Sequence, residues 1–171
     1  FLHRVYENVV SLRLVQATFP PLTNTNGNPH AYYTNNITQN NRSLTSISGA
    51  TPVSKYTNYF LIEIDGLNKV DETTLSAYKS TFRDSFFALI PATAQTYANQ
   101  TFIEFNNRTN YDTVSEFAPP IGKLDRLRIR TRLHSQQGDI GFIFWSDDGT
   151  SVNTDLNFSL MLEIEYVDKM C

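Results

Sequence analysis

The chain has a single cysteine, Cys171, so neither an intrachain disulfide nor a cysteine-based zinc cluster can form, and nothing calls for an oxidising compartment. A reducing interior is expected. Glycine is scarce, at seven residues, and neither G-x-x-x-x-G-K-[ST] nor G-x-G-x-x-G occurs, so a nucleotide cofactor has no motif to bind it. No apolar run approaches the roughly 20 residues needed to cross a bilayer, and the longest, near Ser85 to Pro91, is strand-sized. Direct membrane insertion is not expected. An excess of positive charge is lacking as well: the formal net charge is −3 and the pI is near 5.6, which offers no general attraction to phosphate backbones. Nucleic acid is not expected as the main partner.

The chemistry of a catalytic or metal site is equally thin. His3 and His30 fall in irregular segments without metal-ligand spacing such as H-E-x-x-H. His134, Ser135 and Asp139 are near one another in sequence, but no G-x-S-x-G elbow is present. Neighbouring side chains at a strand end point to opposite faces, so His134 and Ser135 read as a surface pair at a strand-to-turn junction. Asp147-Asp148-Gly149 lacks the alternating acids and terminal glutamate of an EF-hand and reads as a turn. No catalytic residue, cofactor or metal is therefore assigned.

What the sequence does have is apolar and aromatic content: 171 residues with 40% hydrophobic, 13% aromatic and 18% charged side chains can bury a sizeable core. The length fits one domain over 1–171, given about 150 residues per domain. Beginning at Phe1 and not Met, the chain is expected to be a piece of a longer product. Its opening Phe-Leu-His-Arg-Val-Tyr-Glu does not read as a signal peptide, so secretion has no support.

Period-two alternation recurs along the chain. Val5 to Phe19 places Val10, Leu12 and Leu14 on one face, with Pro20 and Pro21 as a stop. Residues 24–58 are rich in Asn, Thr, Ser and Tyr and read as long surface loops with at most a short edge strand, either a functional region or a mobile insertion. Tyr59 to Asp65 turns Phe60, Ile62 and Ile64 inward, and Gly66 gives a turn. Thr73 to Phe82 is compatible with one or two helical turns. Ser85 to Pro91 is apolar on both faces, as a doubly covered strand would be, and Thr101 to Asn106 reads as another strand. Asp139 to Trp145 is a strand closed by the hairpin-type turn Ser146-Asp147-Asp148-Gly149. Leu156 to Val167 ends the pattern with Phe158, Leu160, Leu162, Ile164 and Tyr166 inward. At least seven strands with almost no helix predict an all-β sandwich, first a single jelly roll of about eight antiparallel strands and second an immunoglobulin-like sandwich.

The sharpest alternation is in Leu124 to His134, which sets Leu127, Ile129 and Leu133 on one face and Arg126, Arg128, Arg130 and Arg132 on the other. Guanidiniums ~6.5 Å apart along a strand repel one another and need acidic partners. Three sources are open: carboxylates of the same domain, such as Glu163 and Glu165 on the last strand; a subunit interface; or a nucleic acid or sulfated glycan outside the domain. The loop tyrosines Tyr32, Tyr33, Tyr56, Tyr97 and Tyr111 suit an interface or a sugar site equally. Sequons start at Asn36, Asn41, Asn99, Asn107 and Asn157, but a chain so rich in Asn, Ser and Thr yields several by chance.

An opening NVVSLRLVQATFPPL, the Asn-rich stretch, YFLIEIDGLN, SFFALIP, FAPPIGKLDRLRIRTRLHSQQG and a closing FSLMLEIEYV follow one another from about Val5 to Val167. In this order of features the chain resembles the single jelly-roll capsid proteins of nucleocytoplasmic large DNA viruses, in particular the pentons at their fivefold vertices. The resemblance implies a structural subunit without an active site, part of the virion. It would form a homo-pentamer contacting major and minor capsid proteins, with a minor capsid jelly roll as the alternative within the family. Arg126, Arg128, Arg130, Arg132, Tyr32, Tyr33 and Tyr56 are the candidate contact residues. Two readings compete from other classes: a carbohydrate-binding β-sandwich built on the loop tyrosines and the Asp147-Asp148-Gly149 turn, and a hydrolase on an all-β scaffold, for which no nucleophile and base have sensible spacing.

Overall fold

The first strand, β1 (Tyr6–Phe19), buries Val9, Leu12, Leu14, Ala17 and Phe19, so its core face is read in steps of three, two, three and two residues. Pairing with β13 (Ser159–Tyr166) explains the irregularity. Between Val9 and Ser11 the partner moves only from Tyr166 to Glu165, and between Leu14 and Gln16 only from Leu162 to Met161, leaving Val10 and Val15 as extra residues. Each β-bulge adds one residue and resets which side faces inward. The straight alternation that assigned Val10 to the core is thus corrected: Val9 is fully buried there and Val10 is half-buried.

The structure, a computed structural model, describes residue 2 and residues 4–34, 50–70, 85–109, 114–133, 142–149 and 156–168. The helical turns expected within Thr73 to Phe82 lie outside these residues. Two antiparallel sheets carry the fold. In the first, β13 flanks β1 on one side, while β10 (Val114–Leu124) and β9 (Gln100–Asn106) share the other, with β8 (Ala94–Tyr97) outside β9. The second runs β3 (Thr51–Pro52), β2 (Ala31–Thr34), β12 (Phe142–Trp145), β11 (Ile129–Arg132), β4 (Tyr59–Ile64) and β7 (Ala88–Pro91). A small extra pair joins β5 (Lys69–Val70) to β6 (Ser85–Phe86). The chain crosses between the two main sheets after β1, β7, β10 and β12. First strand beside last, with repeated crossings between layers, makes this a jelly-roll-like β-sandwich.

The core is where the two sheets meet. Phe19 of β1 packs edge-on to Phe60 of β4 at 4.9 Å and stacks on Trp145 of β12 at 5.7 Å and on Phe158 at 5.4 Å. The Trp145 indole N–H donates to the Pro20 carbonyl at 3.1 Å, so the one polar group of this cluster is satisfied at the point where the prolines stop β1. Leu12, Leu14, Ile62, Ile64, Ile90, Ile103 and Phe105 complete the layer, each worth roughly 1.5–3 kcal/mol of burial.

Three local expectations are corrected by the tertiary arrangement. The apolar run Ser85 to Pro91 is two segments: a bend at Phe87 hands the chain from β6 to β7, and Phe87 and Ala88 are buried in succession. The turn Ser146 to Gly149 does not form a hairpin, because β12 pairs with β11 and β2 whereas β13 lies in the other sheet. Its local chemistry is nevertheless that of a turn, with Gly149 at φ +73° and the Ser146 hydroxyl accepting from the Gly149 amide at 3.0 Å. The Asn-rich stretch contains order at both ends. Asn24 accepts the amides of Asn26 and Asn28 through its side-chain oxygen, and β2 is an interior strand between β3 and β12, not an edge. Residues 35–49 lie outside the described region.

A hairpin that the sequence did not announce joins β8 to β9 through Ala98 and Asn99, at φ +48° and +66°. Both central residues left-handed is the geometry of a type I′ turn, which Asn tolerates and Ala does not. Ala98→Gly is expected to raise stability by about 0.5–1 kcal/mol and Tm by about 1–4 °C, measured by thermal unfolding.

Candidate functional site

The arginine row is divided between a strand and a crossover. Only Ile129 to Arg132 pairs as β11; Asp125 to Arg128 is the extended segment that carries the chain from β10 in one sheet to β11 in the other. The alternation continues through this segment, which lies outside the ladder although the Asp125 and Arg128 carbonyls accept from the amides of Leu2 and Asp65, because side-chain direction depends on extended backbone. The expectation of four guanidiniums along one strand is corrected accordingly.

Strand β11 lies beside β4 in a register that opposes Arg130 to Glu63 and Ile129 to Ile64. Glu63 is the centre of the charge arrangement. One of its oxygens accepts from the Arg130 guanidinium, and the other accepts from Nε of Arg132 at 3.0 Å. Arg132 is 1% exposed and Glu63 is 9% exposed, so a single carboxylate neutralises a buried cation and shares a half-buried one. Asp65 stands 3.8 Å from Arg130 and 4.0 Å from Arg128 at the wet end of the row. The Arg130 guanidinium also lies over the Phe142 ring at 5.0 Å. Among the described residues the neutralising acids are Glu63 and Asp65, of the neighbouring strand and its turn. Glu163 and Glu165 are placed elsewhere, on β13 opposite Arg13 and Ser11 in the other sheet. Nothing in YFLIEID marks Glu63 as that partner; only the β4–β11 register does.

The candidate contact residues now separate. Arg126 and Arg128 are exposed, Arg130 is half-buried in its ion pairs, and Arg132 is sealed inside. Tyr32 stacks on Phe144 at 6.0 Å and Tyr33 is half-buried against the core, while Tyr56 and Tyr97 are 78% and 76% exposed. Tyr111, His134, Ser135 and Asp139 lie outside the described residues. At the turn after β12, Asp148 accepts from the Ser146 hydroxyl at 2.9 Å and Asp147 lies 3.2 Å from His30, so both acids already have partners within the chain. Among the described residues, no three His, Cys, Asp or Glu side chains come together as metal ligands. No helix among them is long and apolar enough to cross a membrane.

A cleft of about 410 Å³ opens beside Arg4, Val5, Tyr6, Glu7, Asn8, Tyr166, Val167 and Asp168. Its wall is an aromatic pair, Tyr6 and Tyr166, edge to face at 5.5 Å, with the Arg4 guanidinium over both rings at 4.7 and 4.9 Å. The hydrogen bond that Arg4 donates to the Tyr166 hydroxyl holds the Arg4 pKa above the ordinary arginine value. The sequence pattern places Tyr166 inward but carries no signal for Arg4 and Tyr6, which reach it only through the β1–β13 pairing. Four apolar positions near this edge of the first sheet remain open to water: Val5, Phe158, Met161 and Val167, at 48%, 37%, 58% and 57%. Leu160, Leu162 and Ile164 on the inner face of β13 are only half-buried.

No protein-family model, no curated protein and no solved structure matches this chain.

Proposed function

We propose that this chain is a structural capsid subunit of a large icosahedral double-stranded DNA virus, the penton that forms the pentamer at the fivefold vertices. Its action is geometric: a rigid jelly-roll-like sandwich presents an edge and a charged crossover to identical neighbours and to the major and minor capsid proteins around it, and it catalyses nothing. In this reading it resides in the virion after assembly inside the infected cell.

The observation that carries the proposal is the state of β13. It is an eight-residue strand that, among the described residues, pairs only with β1. Monomeric proteins blunt long edges with prolines, bulges or inward charges, because an open edge with apolar side chains invites another chain. Here Met161 is exposed and Leu160, Leu162 and Ile164 are incompletely covered, as an assembly surface requires. The internal commitments of Asp147, Asp148 and Tyr32 weigh against the sugar-binding reading.

The test is the solution mass of the purified chain by light scattering and native mass spectrometry over a range of protein and salt concentrations. A species five times the 19.5 kDa chain, about 98 kDa, is expected. A monomer throughout overturns the vertex assignment.

A further inference from the structure

We propose that the acidic strand β13 of one copy docks against the basic crossover Asp125–Arg128 of a second copy of this chain, forming a head-to-tail contact. The inference rests on the self-association proposed above and assigns its two surfaces.

The β1 register supplies the geometry. Val9 pairs with Ile121 of β10 and with Tyr166 of β13, and Ser11 pairs with Glu116 and with Glu165. A strand residue with two partners has one on each side, so β10 and β13 are opposite flanks of β1. Strand β10 reaches the crossover at Leu124, opposite Tyr6, and β13 finishes at Tyr166, opposite Val9. The crossover and the last residues of β13 therefore sit at the same end of the sandwich on opposite flanks. Patches so placed, on the two sides of β1, suit a heterologous contact repeated around a ring.

The two flanks also differ in charge. On the β13 flank, Glu163 and Glu165 are exposed beside exposed Met161, with Glu116 two strands away and Arg13 across from Glu163. Glu165 accepts from the Ser11 hydroxyl at 2.9 Å, which holds it on the outer surface. At the crossover, Lys123, Arg126 and Arg128 are exposed, facing Asp125 and Asp65. The pairs Lys123–Asp125 and Arg128–Asp65, at 3.3 and 4.0 Å, are solvent-exposed; such pairs are worth about 0–1 kcal/mol, so a neighbour's carboxylates can compete for the cations at little cost. Arg130 and Arg132 are excluded from the contact because Glu63 already holds them. The partner that fits is another copy, which brings an acidic apolar edge to a basic segment of matching position.

The experiment compares four forms of the full chain by sedimentation velocity and native mass spectrometry: the unaltered chain, Glu163→Lys with Glu165→Lys, Arg126→Glu with Arg128→Glu, and all four changes together. Each half-reversed form is expected to need at least a tenfold higher concentration to associate, and the fourfold form to associate within threefold of the unaltered chain. Mixing the two half-reversed forms restores association only as alternating, even-numbered or open species, because an odd ring cannot alternate two kinds of subunit. Urea unfolding of every form checks the fold, and the neutral pair Glu163→Gln with Glu165→Gln replaces any reversal that fails to fold, with weakened association expected. If the unaltered chain and both half-reversed forms associate alike, this contact is wrong while the capsid proposal stands. If the unaltered chain is monomeric at every concentration, both fall.

Discussion

Glu63→Gln is expected to destabilise the fold by about 3–5 kcal/mol. The carboxylate of Glu63 bridges Arg130 and Arg132, and Arg132 is 1% exposed, so removing the charge takes from a buried guanidinium the carboxylate that accepts from its Nε. Glutamine keeps the shape, but its amide nitrogen would turn a donor toward groups that are themselves only donors. Urea unfolding at pH 7 reads the loss as a lower midpoint with an unchanged slope. A paired replacement tests the cause: Glu63→Leu with Arg132→Met removes both buried charges and is expected to return most of the stability, since Arg130 keeps Asp65 at 3.8 Å. A loss below about 1 kcal/mol in Glu63→Gln would show that the bridge contributes little.

This bridge also limits how the arginine row can be tested as an interface. Arg130→Glu would set two carboxylates side by side in a half-buried place and unfold the sheet locally, so any loss of assembly would be ambiguous. Arg126 and Arg128 avoid that difficulty because both are exposed.

The second large effect is expected at Gly149→Ala, at about 2–4 kcal/mol. Gly149 has φ +73°, where an L side chain costs roughly 1–2 kcal/mol. A Cβ there would also lie 2.6 Å from Cε1 and 2.8 Å from Cδ1 of Tyr32. The ring has little freedom to withdraw, since it stacks on Phe144 across the β2–β12 pair. Combining Gly149→Ala with Tyr32→Ala removes the clash and keeps the backbone strain. The two changes together should therefore cost less than the sum of each alone, which thermal unfolding of the three variants measures.

How far the sequence could be read depends on which physical signal each feature leaves. Phe60, Ile62 and Ile64 were legible because β4 is regular and hydrophobic alternation maps directly onto faces. Val10 was misassigned because a bulge leaves no mark in residue type; its cause is the pairing with β13. FAPP gave no strand signal, yet β10 runs through it. Between Val9 and Ser11 on β1, the partner strand jumps from Ile121 to Glu116, so Pro119 and Pro120 lie in an exposed bulge, away from the ladder positions that demand an N–H. The hairpin at Ala98 and Asn99 was missed for a related reason, because Ala carries no preference for positive φ.

The charged row divides in the same way. The sequence alone established that Arg126, Arg128, Arg130 and Arg132 face one way and that something acidic must meet them, because an extended chain alternates and like charges repel. It likewise established an all-β chain with one apolar layer and no cysteine scaffold. Only the tertiary structure decided that Glu63 and Asp65 are the acids, that Arg132 is buried, and that β13 and the Asp125–Arg128 crossover lie on opposite flanks of β1. The physical reason is one of range: periodicity is fixed by residues a few positions apart. Strand partnership joins segments some 65 or 150 residues apart in the chain, through backbone hydrogen bonds that every residue type can make.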